Sequence, residues 1–160
     1  MRTLLRIGIC CLAMTFLLPT ALLADDLLSG TWELDTAASK FDPGPARKTD
    51  IRIYKVEGSI IHMTGKAVFA DGKSINAEYT GAYDGKDYPV AGNPRVGTIA
   101  QERLDDYIAK TTTKRGGKIT ATSTRVISND GKTMTITSTG TDEKGVVFHD
   151  TLVFLKRKIN

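Results

Sequence analysis

The sequence predicts an all-β fold: an antiparallel up-and-down meander of eight to nine strands, rolled into a closed or partly closed barrel. Three observations carry that prediction. Residues 118–156 read as three alternating, β-branched-rich runs separated by Asn129-Asp130-Gly131-Lys132 and Asp142-Glu143-Lys144-Gly145. Asp-Gly accepts the positive φ that tight hairpin turns require. The same alternation and the same turns recur upstream, with short connections and no helical periodicity. A meander of that many twisted strands rolls up because closure removes exposed edges.

The elements follow in order. Residues 29–35 form a first short strand with Trp32 and Leu34 on one face, and Trp32, the only tryptophan, serves as its core anchor. Residues 36–48 are a connection in which Asp42-Pro43-Gly44-Pro45 blocks regular pairing, with Phe41 tucked against the core. Residues 48–56 alternate, Ile51 and Ile53 opposing Arg52, Tyr54 and Val56. After a turn at Glu57-Gly58-Ser59, residues 60–69 place Ile61, Met63, Ala67 and Phe69 in one register. Ala70-Asp71-Gly72-Lys73 turns into 74–83, where Ile75, Ala77, Tyr79, Gly81 and Tyr83 share a side, and Asp84-Gly85-Lys86 turns out of it. Residues 87–95 hold two prolines and are either an edge segment or a loop folded over one end of the sheet. Strands resume over 96–104 and 107–114, with Asp105-Asp106 between them and Arg115-Gly116-Gly117-Lys118 leading into the final meander. An immunoglobulin-like sandwich is the competing fold, and only 36–48 and 87–95 offer the longer crossings it needs.

The N-terminus is a separate object. Arg2 and Arg6 precede an uncharged run over 7–24 that stops at Asp25-Asp26, the charge order of a secretory signal peptide. Cleavage after Ala24 is expected, which leaves 25–160 as one domain in the periplasm or outside the cell, with no membrane span. An uncleaved anchor is disfavoured by the length of the run and by Thr15, Pro19 and Thr20. Cys10 and Cys11 sit too early in it for a lipidation site. Both cysteines leave with the leader, so the domain is held by its sheet and core without disulfides. Loss of Arg2 and Arg6 leaves 20 basic against 18 acidic residues, a net charge of +2 in place of +4. The basic residues are scattered and lack a clustered aromatic platform, which excludes a nucleic-acid binder.

Gly30-Thr31-Trp32 at the head of the first strand resembles the Gly-x-Trp motif of the calycins, the lipocalin and fatty-acid-binding-protein barrels. The resemblance implies a tryptophan that closes one barrel end beneath a basic residue of the last strand. Lys156 and Arg157 stand in the matching place, and Arg157 is taken as the barrel-closing partner of Trp32. The last third of the chain also looks like the end of a fatty-acid-binding-type barrel. The segment Tyr83-Asp84-Gly85-Lys86-Asp87-Tyr88-Pro89-Val90 is similar to one carried by small exported bacterial proteins of unknown function. Two departures stand out: residues 36–48 are too short and proline-rich for a helical lid, and the chain ends without the Arg-x-Tyr pair that holds a ligand carboxylate in fatty-acid-binding proteins. The ligand chemistry of that family therefore does not carry over.

Among candidate site residues Arg125 comes first. It shares a register with Ile119, Ala121 and Ile127, so alternation points it inward, where a guanidinium needs a partner. That partner is an anionic ligand or an internal carboxylate such as Asp150; if the Thr120, Thr122 and Thr124 register is the inner one, Arg125 faces solvent. Tyr79 and Tyr83 lie on an apolar register and either line a cavity, with hydroxyls available for hydrogen bonds, or are core or rim residues. Arg103 and Tyr107 flank the Asp105-Asp106 turn, as ligand contacts or as surface residues. Residues 87–94 are the candidate lid or partner contact. His62 and His149 are the only histidines, no nucleophile elbow is present, and no spacing suggests a metal site, so neither catalysis nor a cofactor is expected. Thr133, Thr135, Thr137, Thr139 and Thr141 alternate along one strand; β propensity explains them more simply than ice binding, which needs a flat array. The expected function is non-enzymatic binding of a small hydrophobic or amphipathic molecule. The alternative is an interaction or structural domain of the cell envelope.

Overall fold

A computed structural model describes residues 26–158, and the predicted leader lies outside them. Ten strands follow in chain order: β1 (Gly30–Lys40), β2 (Arg47–Glu57), β3 (Ile60–Phe69), β4 (Ser74–Ala82), β5 (Tyr88–Pro89), β6 (Thr98–Arg103), β7 (Ile108–Arg115), β8 (Lys118–Ile127), β9 (Thr133–Thr141) and β10 (Val147–Lys156). They form one sheet in the order β4-β3-β2-β1-β10-β9-β8-β7-β6-β5. Each pairing is antiparallel, and the first strand lies against the last. The architecture is the predicted meander, with one strand more than the upper count. The extra element is β5, whose Tyr88 pairs with Ile99 while Pro89 is confined to the edge.

Two boundaries move for a physical reason. β1 runs past residue 35 to Lys40 because its register with β10 shifts between Asp35 and Lys40. The Asp35 carboxylate accepts the amides of Ala37 and Ala38 at 3.0 and 3.1 Å, and Ser39 Oγ accepts the Val153 amide at 3.0 Å. The proline-rich connection thus shrinks to residues 41–46. At the predicted Asp-Gly turns, Gly72, Gly85 and Gly131 have φ of 84°, 73° and 67°. Such values cost most residues a Cβ clash.

The sheet wraps around a core at one end of the barrel. Leu28, Trp32, Ile61, Met134 and Phe154 are fully buried there. Trp32 donates from Nε1 to the Leu28 carbonyl at 2.8 Å, so the indole is both packed and hydrogen-bonded. Lys156 lies over its ring, Nζ 5.1 Å from the centroid, and donates to the Leu27 carbonyl at 2.9 Å. The basic residue above the tryptophan is therefore Lys156 and not Arg157. Alternation explains the correction: Leu152, Phe154 and Lys156 share the inner register, whereas Arg157 lies outside and donates from Nε to Glu33 at 2.6 Å.

The sheet ends meet along a sparse seam. Glu78 and Ala91 exchange backbone hydrogen bonds of 3.1 and 2.9 Å, and Gly85 N donates to the Gln101 carbonyl at 2.9 Å. Gly92 lies so close to β4 that a Cβ there would sit 2.0 Å from the Asn76 carbonyl oxygen. Residues 87–94 are thus used to close the barrel side.

Candidate functional site

Above the sealed end lies a cavity of about 260 Å³, just under the ~300–1,000 Å³ of pockets that enclose drug-sized ligands. Its wall is largely apolar, with Met63, Phe69, Ile75, Ile99, Ile136 and Leu152 contributing. Val90, Asn93 and Val96 of the seam segment also face it. Among the polar side chains of this wall, two groups hold buried charge.

The first group stands on β2. Asp50, 2 % exposed, accepts from Arg47 and, at 3.0 and 3.3 Å, from Arg52 NH2 and Nε. Burial pushes the Asp50 carboxyl up, but the charges and hydrogen bonds of Arg52 and Arg47 outweigh it and hold it below the usual carboxylate range. Burial likewise works against the Arg52 charge, and Asp50 with help from Tyr54 reverses the effect. Arg52 also lies 4.6 Å from the Phe154 ring centroid. This group is internally satisfied. Sequence reasoning missed it because Ile51 and Ile53 look like the buried register, yet Ile53 is half exposed and Arg52 and Tyr54 face inward. The available signal was Asp50-x-Arg52-x-Tyr54, polar residues of complementary charge at period two.

The second group centres on Arg125. Ala121, Ser123 and Arg125 of β8 line the cavity, so the alternation that points Arg125 inward is the one the structure adopts. Ile119 departs from that face, because the β7–β8 register shifts between Thr113 and Lys114, and is well exposed. Arg125 is 6 % exposed. It donates to the Tyr83 hydroxyl and, over a long 3.4 Å, to Gln101 Oε1. Its Nε is buried with no partner, and it takes part in none of the ion pairs among the described residues. Asp150, the internal carboxylate considered from sequence, does not pair with it; Asp150 accepts the Asp42 amide at 3.2 Å. Burial pushes that carboxyl up.

Tyr79 lines the same cavity and accepts from Gln101 Nε2 at 2.8 Å. Burial raises both the Tyr79 and Tyr83 phenols, Tyr79 well above its ordinary range, against the opposing charge of Arg125, so both are neutral hydrogen-bonding groups at neutral pH. Tyr83 is half-buried beside Arg125 and, unlike Tyr79, does not line the cavity itself. Arg103 and Tyr107 do not line the cavity. They flank the β6–β7 turn on the outside, where Arg103 pairs with Asp26 at 2.8 Å and Tyr107 is 39 % exposed. Gln101, a residue the sequence did not single out, is 2 % exposed and joins Tyr79 to Arg125. His62 and His149 contact Thr80 and Thr139 at 3.0 and 3.2 Å, away from the cavity.

Fold and interior together define a nearly closed ten-stranded antiparallel β-barrel with an apolar cavity and a buried, incompletely partnered arginine. No protein-family model matches the chain, and no curated protein does. Among the solved structures that match it is a redesigned β-barrel, mFAP1, bound to DFHBI, with 16 % sequence identity, 82 % of this chain and 95 % of that chain covered, and a TM-score of 0.41. The barrel assignment rests on the strand order and register given above.

Proposed function

We propose that the chain is an exported, non-enzymatic, calycin-like carrier or sensor that takes a small amphipathic molecule into its barrel, with the anionic end of that molecule on Arg125. One observation carries this reading: a guanidinium enclosed at the cavity wall has an unpaired Nε and no carboxylate partner among the described residues. Burying an ionised group without a counter-charge is costly, and a ligand carboxylate offsets that cost with charge-assisted hydrogen bonds. The apolar wall would take the rest of the molecule. The cavity volume favours a short chain or a single ring over a long acyl chain. Export is supported by the charge and hydropathy order of residues 1–24.

Calorimetric titration of the purified protein with octanoate and with octanol tests the reading. Octanoate is expected to bind at least about tenfold more tightly, the range of one hydrogen bond to a charged group. Equal affinity for the two, or no saturable binding of either, would sink it.

A further inference from the structure

The residues just after the predicted leader form a built plug. Asp26 accepts the Leu28 amide on Oδ1 at 2.9 Å, and its carbonyl accepts the Ser29 amide at 2.9 Å. Leu28 is 1 % exposed and its carbonyl takes the Trp32 indole proton. The second carboxylate oxygen of Asp26 does something the plug does not need: it binds Arg103 NH1 at 2.8 Å. Arg103 Nε is held in turn by the Asp105 carbonyl at 3.2 Å. Its guanidinium lies over the Tyr83 ring, 5.3 Å from the centroid.

Tyr83 therefore contacts two guanidinium groups, with Arg125 5.6 Å from the same centroid and donating to its hydroxyl. Asp26, Tyr83, Arg103 and Arg125 line one space of about 10 Å³, room for about one water. A shift of Arg103 is expected to reach the phenol it overlies, and that phenol accepts the shorter of the two hydrogen bonds that hold Arg125, whose guanidinium also lies 6.0 Å from the Tyr54 ring centroid. We infer that Asp26 is a positioning residue for the anion site: through Arg103 and Tyr83 it sets how Arg125 meets the acid group of a ligand. The inference rests on the ligand reading above. It makes the N-terminal plug a determinant of selectivity for acids over neutral molecules.

Asp26→Asn separates the two roles of Asp26, since an amide oxygen still accepts the Leu28 amide while the closer of the two carboxylate charges on Arg103 is lost, Asp106 remaining at 3.7 Å. Octanoate affinity is expected to fall roughly two- to thirtyfold, the range for coupling through packed side chains, with octanol affinity unchanged and partial recovery in Asp26→Glu. The ¹⁵N–¹H signal of Arg125 Nε, assigned by its loss in Arg125→Gln, is expected to shift in Asp26→Asn without any ligand. That readout keeps the inference testable if octanoate does not bind. An unmoved Arg125 signal, or equal losses for octanoate and octanol, would overturn it.

Discussion

Replacing Asp50 by alanine is expected to cost roughly 3–5 kcal/mol, the usual penalty for removing one partner of a buried ion pair. Asp50 is the only carboxylate hydrogen-bonded to Arg47 and Arg52 among the described residues, and both arginines lie at the cavity wall. The variant leaves two guanidinium groups to repel each other in a poorly solvated space. A loss of that size takes a large part of the ~5–15 kcal/mol that holds a domain together, and urea denaturation at neutral pH measures it. The same residue sets an acid limit. Its folded carboxyl titrates below the unfolded value of about 3.9, so its contribution is complete above that value and is lost as pH falls through the lower folded value. Asp50→Ala should therefore also flatten the acid limb of the stability–pH curve. An unchanged limb would place the acid sensitivity elsewhere.

Trp32→Ala is expected to be comparably damaging, at about 3–5 kcal/mol. The indole is fully buried and hydrogen-bonded through Nε1 to Leu28, and it carries Lys156 on its face. Its removal opens the sealed end and frees both the Leu28 carbonyl and the plug it anchors. Trp32→Phe should recover much of the packing but not the hydrogen bond, and so fall between the two in thermal denaturation. Arg157→Ala should change stability little, because its partner Glu33 is at the surface, where solvent screens an ion pair. A larger effect of Arg157→Ala than of Lys156→Ala would contradict the assignment of Lys156 as the residue over the indole.

The barrel was legible because its signals are local. Period-two runs and Asp-Gly turns appear in one dimension, and they led to the correct meander with β5 as the one extra strand. The inward direction of Arg125 was only one of two registers the sequence left open, since the Thr120, Thr122 and Thr124 face alternates just as regularly. Its environment was not legible, because no local pattern reports which carboxylate lies across a barrel. Asp150 matched in residue type, yet it is occupied by the Asp42 amide. The Asp50 cluster was hidden by a misleading pattern: outward isoleucines at 51 and 53 imitate a core register while charge-paired arginines occupy the true one. The bulge near Ile119 likewise breaks an alternation that looked continuous. Lys156 and Arg157 stand at the end of a strand both of whose faces carry apolar residues from 146 to 155, so its alternation does not mark the inner side until Leu152 and Phe154 are seen in the core.

The central claim is that Arg125 is present for a ligand and not for the fold, and the stability of Arg125→Met without ligand tests it most directly. The substitution gives up one long 3.4 Å contact, one hydrogen bond to a half-buried phenol and ring contacts 5.6 and 6.0 Å from the Tyr83 and Tyr54 centroids, and it relieves the burial of a charge with no carboxylate partner among the described residues. Apolar replacement of buried ionic groups is often neutral or stabilising. Thermal denaturation of the ligand-free protein should accordingly find the variant at least as stable as the native chain, while its preference for octanoate over octanol disappears. A loss of roughly 3 kcal/mol or more would contradict the account, since the guanidinium would then be part of the barrel's own polar framework.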